Sequence, residues 1–283
     1  MARKRRSKNR TSNAGTYFFI TLAIAVLSAL VAGGVYLKVN TETVVALNSD
    51  TLCPNSGAIG TTAVLLDTTD EISDTTKADI IRRIDETLDS LPRYSRLAIY
   101  QMTEDGLDNS VLAEVCNPGR LEDMDDLAKQ GFTANPRIIE GRYNAFRGKV
   151  GSSIQTFFQK KMSAEQSPLF GSLQKLSLSL PRREKQIEGS SSHNTIIFVS
   201  DFWEHTEAYS IYRSGIDMEQ FRDSRAQEKF GSKYENTDLH FWMIRRKSDK
   251  FTSQNLGNFV RKVFTEEFKS KSIKSFRILE GEL

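Results

Sequence analysis

Cysteine and histidine are scarce in this 283-residue chain, which has two of the first, Cys53 and Cys116, and three of the second. The two cysteines lack metal-type spacing, so the sequence carries no zinc signature. It also has no glycine-rich phosphate loop of either familiar spacing, which leaves no motif for nucleotide binding. Internal repeats are absent. So is a basic surplus over most of the chain: the net charge is +3, but "MARKRRSKNR" (1–10) holds six Lys/Arg and no acid, which leaves the remainder at −3. That balance offers no electrostatic footprint for nucleic acid. Hydrophobic residues at 39% and charged residues at 27% are ordinary for a globular protein.

What the chain does have begins at residue 17. "YFFITLAIAVLSALVAGGVYL" (17–37) is 21 residues without a charge. At about 1.5 Å per residue it spans about 30 Å, the hydrocarbon thickness of a bilayer. Tyr17 and Tyr36 sit near its ends, where interfacial aromatics belong. A cleaved signal peptide fits poorly, because the apolar core is too long and no small-x-small pair closes it. The segment therefore reads as an uncleaved single-pass anchor. Six positive charges precede it and only Lys38 follows closely, so the positive-inside rule puts the N-terminus in the cytoplasm. Residues 38–283 then lie outside; in a bacterium this means the inner membrane and the periplasm. The basic head read as a nucleic-acid arm is the competing view, but topology alone accounts for it. Ala25, Ala29 and Gly33 recur every four residues and would let two anchors approach as a homodimer, although alanine is also common filler. Both cysteines fall on the outer side, where an oxidising compartment favours a Cys53–Cys116 disulfide over two buried thiols. The organisation expected is a basic tail (1–16), a transmembrane helix (17–37), a stalk (38–60) and one α/β domain (61–283).

Within that domain, apolar strands alternate with amphipathic helices. The strands are "TAVLLD" (62–67), "RLAIYQM" (96–102), "SVLAEVC" (110–116), "TIIFVSD" (195–201), "DLHFWMIRR" (238–246) and "SFRIL" (275–279). The second and third form a hairpin across "TEDGLDN". Ile81, Ile84, Leu88 and Leu91 mark one helical face; Ile139, Tyr143, Phe146, Val150, Ile154, Phe157 and Phe158 mark another. Ser167 and Pro168 read as N-cap and first residue of a shorter helix. Continuous apolar strands between helices imply an open, mostly parallel sheet covered on both faces, with one antiparallel strand near an edge.

Ligands of such sheets collect at the carboxyl ends of the strands. Two strands here end in aspartate, Asp67 and Asp201, and Ser167 opens a helix beside them. Asp67 and Thr69, two apart, can face one crevice. Carboxylates and hydroxyls from three loops suit a hard cation such as Mg²⁺, with Mn²⁺ or Ca²⁺ as further candidates. The competing view is local: Asp67 caps the following helix, Thr69 makes a turn bond and Ser167 is an N-cap.

With "DTTDE" (67–71), "SPLFGSL" (167–173) and "FVSD" (198–201) in this order, residues 60–280 resemble the von Willebrand factor A (vWA) fold and its metal-ion-dependent adhesion site. "CNPG" together with "SPL" and "VSD" is similar to a set of membrane-anchored bacterial proteins of that fold. The resemblance implies a Rossmann-like domain that binds a partner protein through a metal held by Asp67, Thr69, Ser167 and Asp201. The hydroxyls would coordinate directly and the carboxylates largely through water. The pattern departs at Glu71, where the family has serine. If it points inward, Glu71 adds a negative ligand of the protein's own; otherwise Asp70 or Ser73 helps. The other functional reading is a metal-dependent hydrolase built on Asp67 and Asp201 with "DFWEH" (201–205). The expectation is a protein-binding module of an envelope or mobile-element assembly rather than a catalyst.

Overall fold

Seven residues with β-branched or leucine side chains at most positions form the central strand, β1 (Thr61–Asp67), and it is buried along nearly its whole length. Only a strand covered on both faces can be apolar without alternation. In this computed structural model the described residues are 14–40, 45–124, 126–129, 134–159, 164–180, 194–231, 234, 237–248, 250–270 and 272–283. The elements in chain order are α1 (Ala14–Asn40), β1, α2 (Asp74–Ser90), β2 (Arg96–Thr103), β3 (Gly106–Cys116), α3 (Asp126–Lys129), α4 (Pro136–Phe158), α5 (Leu169–Ser179), β4 (Asn194–Ser200), α6 (Ile211–Ser214), α7 (Met218–Asp223), α8 (Arg225–Phe230), β5 (Thr237–Arg245), α9 (Ser253–Lys262) and β6 (Ile273–Glu282). Within α1, Tyr17–Tyr36 is long and apolar enough to cross a membrane, and none of it is buried against the domain.

The six strands form one sheet in the order β3-β2-β1-β4-β5-β6. All neighbours are parallel except the β2–β3 hairpin at one edge, in agreement with the sequence expectation. The order reverses between β1 and β4, which pair directly with Leu66 opposite Val199. That reversal opens a crevice at the carboxyl ends of these two strands.

Side-chain alternation divides the core into two layers. Ala63 and Leu65, with Ile196, Phe198, Phe241 and Met243, pack under α5 and α9. Val64 and Leu66, with Leu97, Ile99, Val199 and Trp242, pack under α2 and α4. The first layer is dense in aromatics: Phe170 meets Phe221, Phe264 and Phe268 at ring separations of 5.7, 6.0 and 5.7 Å. On α4, Ile139, Phe146, Val150, Ile154 and Phe157 are buried as the stripe predicts.

One local expectation is refined and one corrected. The buried face of α2 runs through Thr76, Ile80, Ile84 and Leu88, so Ile81 lies on its flank. Ile81, three residues before Ile84, stands at the edge of that face and packs half-buried against the same layer, while Ile80 is the fully buried member. The polar members of that face have their own partners. Asp79, 4% exposed, accepts from the Glu280 N–H at 2.9 Å and pairs with Arg82 and Arg83. Thr76 donates to the Glu282 carbonyl at 2.9 Å. The backbone at Gly281 (φ +82°) comes so close that a Cβ there would stand 2.4 Å from the Thr76 hydroxyl, which only glycine avoids. The correction concerns Ser167: the N-cap of α5 is Pro168, and the Ser167 side chain serves the site described below.

Between α1 and β1, the described residues 45–60 are tied to the domain. Leu52 is buried, the Cys116 N–H donates to the Thr51 carbonyl at 2.8 Å, and the Ile59 N–H donates to the Tyr94 carbonyl at 3.1 Å. The Cys53–Cys116 disulfide is present, with Cα atoms 4.7 Å apart, and it joins this segment to the end of β3.

Closing a loop of 63 residues should stabilise the fold by about 4 kcal/mol in the chain-entropy model. Thiol labelling of unreduced, denatured protein should find no free thiol, and reduction or Cys53→Ala should lower the unfolding midpoint. For Asp79, burial pushes the carboxyl up, but the Glu280 N–H and the two arginines outweigh it and hold it below its ordinary value. A depressed carboxylate contributes stability above its unfolded pKa and loses it as pH falls through the folded one. Asp79→Asn should therefore be less stable at neutral pH and lose less stability on acidification below about pH 4, read from unfolding curves across pH.

Candidate functional site

The crevice is built from four chain segments. Asp67 is the last residue of β1 and Asp201 the first after β4, so parallel pairing delivers both carboxylates to one end of the sheet. Thr69 lies on the loop after β1, and Ser167 precedes α5. All four are at least 93% buried.

Asp67 organises one side of the site. Its Oδ1 accepts from the Thr69 N–H at 3.0 Å and from the Thr69 hydroxyl at 2.8 Å. That pair of bonds is an Asx-type turn, which these residue types favour after a strand. The Thr69 hydroxyl is also 3.3 Å from the Ser167 hydroxyl, which ties in the α5 loop. Ser200, the last residue of β4, donates to Asp67 Oδ2 at 2.7 Å and accepts from the Phe202 N–H at 2.8 Å. Thr68 points away, donating to the Met102 carbonyl at 2.6 Å. The helix α2 is capped by Ser73, not by Asp67.

On the other side, Asp201 accepts from the Trp203 N–H at 3.0 Å through Oδ1 and from Arg246 Nε at 2.6 Å through Oδ2. Arg246 follows β5 directly, and β5 runs parallel beside β4. Its guanidinium also pairs with Asp70 and donates to the Tyr212 hydroxyl at 2.7 Å. It lies over the Trp203 ring at 5.2 Å, with Tyr212 at 6.0 Å as a second wall. Trp203 in turn stacks on Phe251 at 5.0 Å. Between Asp201 and Trp203, Phe202 has a left-handed backbone (φ +61°), unusual for a bulky residue. Its buried ring is held by Phe198 and Phe241 at 5.2 and 5.3 Å, and this packing fixes the turn that aims Asp201 into the crevice.

Burial pushes both aspartates up. For Asp67, bonds from Ser200 and Thr69 oppose the shift, while Asp70 adds to it. For Asp201, burial raises the group most, Arg246 and the Trp203 N–H lower it, Asp67 and Asp70 raise it, and the balance leaves it at about 7. Arg246 itself is lowered by burial, but Asp201 and Asp70 outweigh that and leave it above its ordinary value.

The crevice thus unites Asp67, Thr69, Ser167 and Asp201. Glu71 is exposed, and Asp70 reaches inward to Arg246 instead. Arg246 and Ser200 are site residues that the sequence did not single out. Arg246 had one available signal: a basic residue directly after an apolar strand must emerge at the carboxyl end of the sheet. Glu204 and His205 do not join the aspartates as the hydrolase reading required. Glu204 is fully buried; it accepts from the Phe170 N–H at 3.0 Å and the Thr206 hydroxyl at 2.9 Å, so it caps α5 from outside the helix. Burial pushes its carboxyl up to about 8, against those bonds. His205 contacts Ser210 at 2.7 Å, and its backbone pairs with Ser167 at 3.0 and 2.9 Å. Among the described residues no group of three or more His, Cys, Asp and Glu is arranged to hold a metal.

Neither a family model nor a curated protein matches the sequence. Solved structures similar to this chain include the conserved hypothetical protein BatB from Bacteroides thetaiotaomicron, at 10% identity and TM-score 0.39, covering 79% of this chain and 91% of that one. A von Willebrand factor type A protein from Catenulispora acidiphila aligns at 9% identity and TM-score 0.39, over 78% of this chain and 39% of that one. The SpRpn10 VWA domain aligns at 10% and 0.40, over 78% and 87%. The reading of the crevice rests on its own side chains, not on these likenesses.

Glu204→Gln keeps an acceptor for α5 and a donor for Thr206, so it should unfold close to wild type. Glu204→Ala strands the helix N–H groups and should cost about 1–3 kcal/mol in chemical denaturation.

Proposed function

We propose that this chain is a membrane-anchored, vWA-like protein-binding module that engages a partner protein through the carboxyl-end crevice. The observation that carries the reading is the convergence of Asp67, Thr69, Ser167 and Asp201 from separate loops at the switch point of the sheet. Buried polar groups so arranged are costly to a fold and accumulate where ligands bind. Tyr212, 42% exposed, and the half-exposed Asp70 give the crevice a rim that a partner can reach. Anchor and disulfide support display of the domain outside the cytoplasm, the N-terminus inside. The anchor's Ala25, Ala29 and Gly33 face is the place for a homodimer. The hard cation that the vWA resemblance implies at Asp67, Thr69, Ser167 and Asp201, Mg²⁺ for example, would first have to displace Arg246 from Asp201. A hydrolytic reading has less support, since Glu204 is committed to capping α5 and Asp201 to Arg246.

A reporter that works only outside the cytoplasm, fused after Leu283, should be active; activity of a cytoplasm-only reporter there would reverse the topology. Cross-linking of the full-length protein in its native membrane should yield a defined partner. Thr69→Ala or Ser167→Ala, with circular dichroism unchanged, should reduce that adduct at least tenfold. An undiminished adduct would move the binding surface elsewhere.

A further inference from the structure

The cation of this crevice is part of the chain. Arg246 uses all three guanidinium nitrogens in the site: Nε on Asp201 at 2.6 Å, one terminal nitrogen on Asp70, the other on the Tyr212 hydroxyl at 2.7 Å. Its flat face is laid on Trp203, and only 20% of the side chain is exposed. A surface arginine has no reason to give up its rotamer freedom in this way. Here three acceptors and an aromatic wall determine one position, which suits the planar fork of arginine and no other side chain.

The carboxylate oxygens are committed as well. Asp67 accepts from Thr69 on one oxygen and from Ser200 on the other; Asp201 accepts from Trp203 on one and from Arg246 on the other. A divalent ion would need several of these oxygens at about 2.0–2.6 Å, and it would meet a guanidinium already beside Asp201. With Arg246 in this position the donor set does not fit such an ion.

We propose that Arg246 is the crevice's own cation: a tethered guanidinium that bridges Asp201 and the β1–α2 loop, through Asp70, and keeps the crevice assembled without metal. Like charges brought together by the parallel strand ends repel, and a positive group beside one of them relieves that repulsion. A side chain supplies one at fixed geometry, and its occupancy follows folding rather than ion concentration. The same crevice is assigned above to partner binding, and the inference shares that assignment. Its readouts are stability and metal response, so it and the partner reading fail separately.

The test uses full-length protein in detergent, with thermal unfolding and calorimetry in EDTA and in excess Mg²⁺ or Mn²⁺. Wild type should have one midpoint in all conditions and give no binding heat. In EDTA, Arg246→Met should lose roughly 5–10 °C, since a buried carboxylate is left unpaired. Added Mg²⁺ should recover part of that loss and give measurable heat. The double variant Asp201→Asn/Arg246→Met removes both charges; it should be more stable than Arg246→Met and indifferent to metal. That double variant also decides the case if Arg246→Met does not fold, because its own failure to fold would contradict charge compensation. Binding of Mg²⁺ by wild type, or an Arg246→Met protein that ignores the ion, overturns the proposal.

Discussion

Burial of Asp67 and Asp201 at the ends of two adjacent parallel strands is the constraint on which the rest of this molecule depends. Strands β1 and β4 pair directly, so neither carboxylate can retreat without breaking the centre of the sheet. Two such groups in one low-dielectric crevice repel and lose hydration. The surrounding structure answers both costs. Thr69, Ser200 and Trp203 supply hydrogen bonds, and Arg246 supplies charge. The strained turn at Phe202 aims Asp201 inward, and the aromatic packing of that side of the core holds the turn.

The same logic explains why the neighbouring loops are well fixed. Ser167 joins the crevice through Thr69, and its backbone pairs with His205, so the β4 loop and the start of α5 move as one piece. Glu204 completes that connection by capping α5 from the β4 loop. Polar groups whose residue types suggest catalysis are here committed to joining segments. At the far end of the sheet, the disulfide binds the segment between α1 and β1 to the end of β3, at the hairpin edge.

Most of the architecture was legible because its signals are local. Continuous apolar runs and the Ile139–Phe157 stripe follow from side-chain periodicity and appear where expected; the hairpin forms as well, but its turn is tighter than 103–109, with β3 already paired from Gly106. The misreading came at Ser167, whose hydroxyl turns from its helix to Thr69. The aspartates were legible as well, since a carboxylate that ends an apolar strand must emerge at the carboxyl edge of the sheet. Their neighbours were not. A glutamate such as Glu204 is ordinarily solvated, and only the approach of α5 gives it a reason to be buried.

By itself the sequence determined the long apolar N-terminal helix, the alternation of strands and helices, the two aspartates at strand ends and the availability of one disulfide. Each of these is set by chain composition over a few residues. Only the tertiary structure decided which side chain neutralises the carboxylates. Arg246 lies 45 residues beyond Asp201 and 176 beyond Asp70. Nothing in the spacing joins them; they meet because β5 pairs with β4 rather than with another strand, and strand order is decided by how the helices cover the two faces of the sheet.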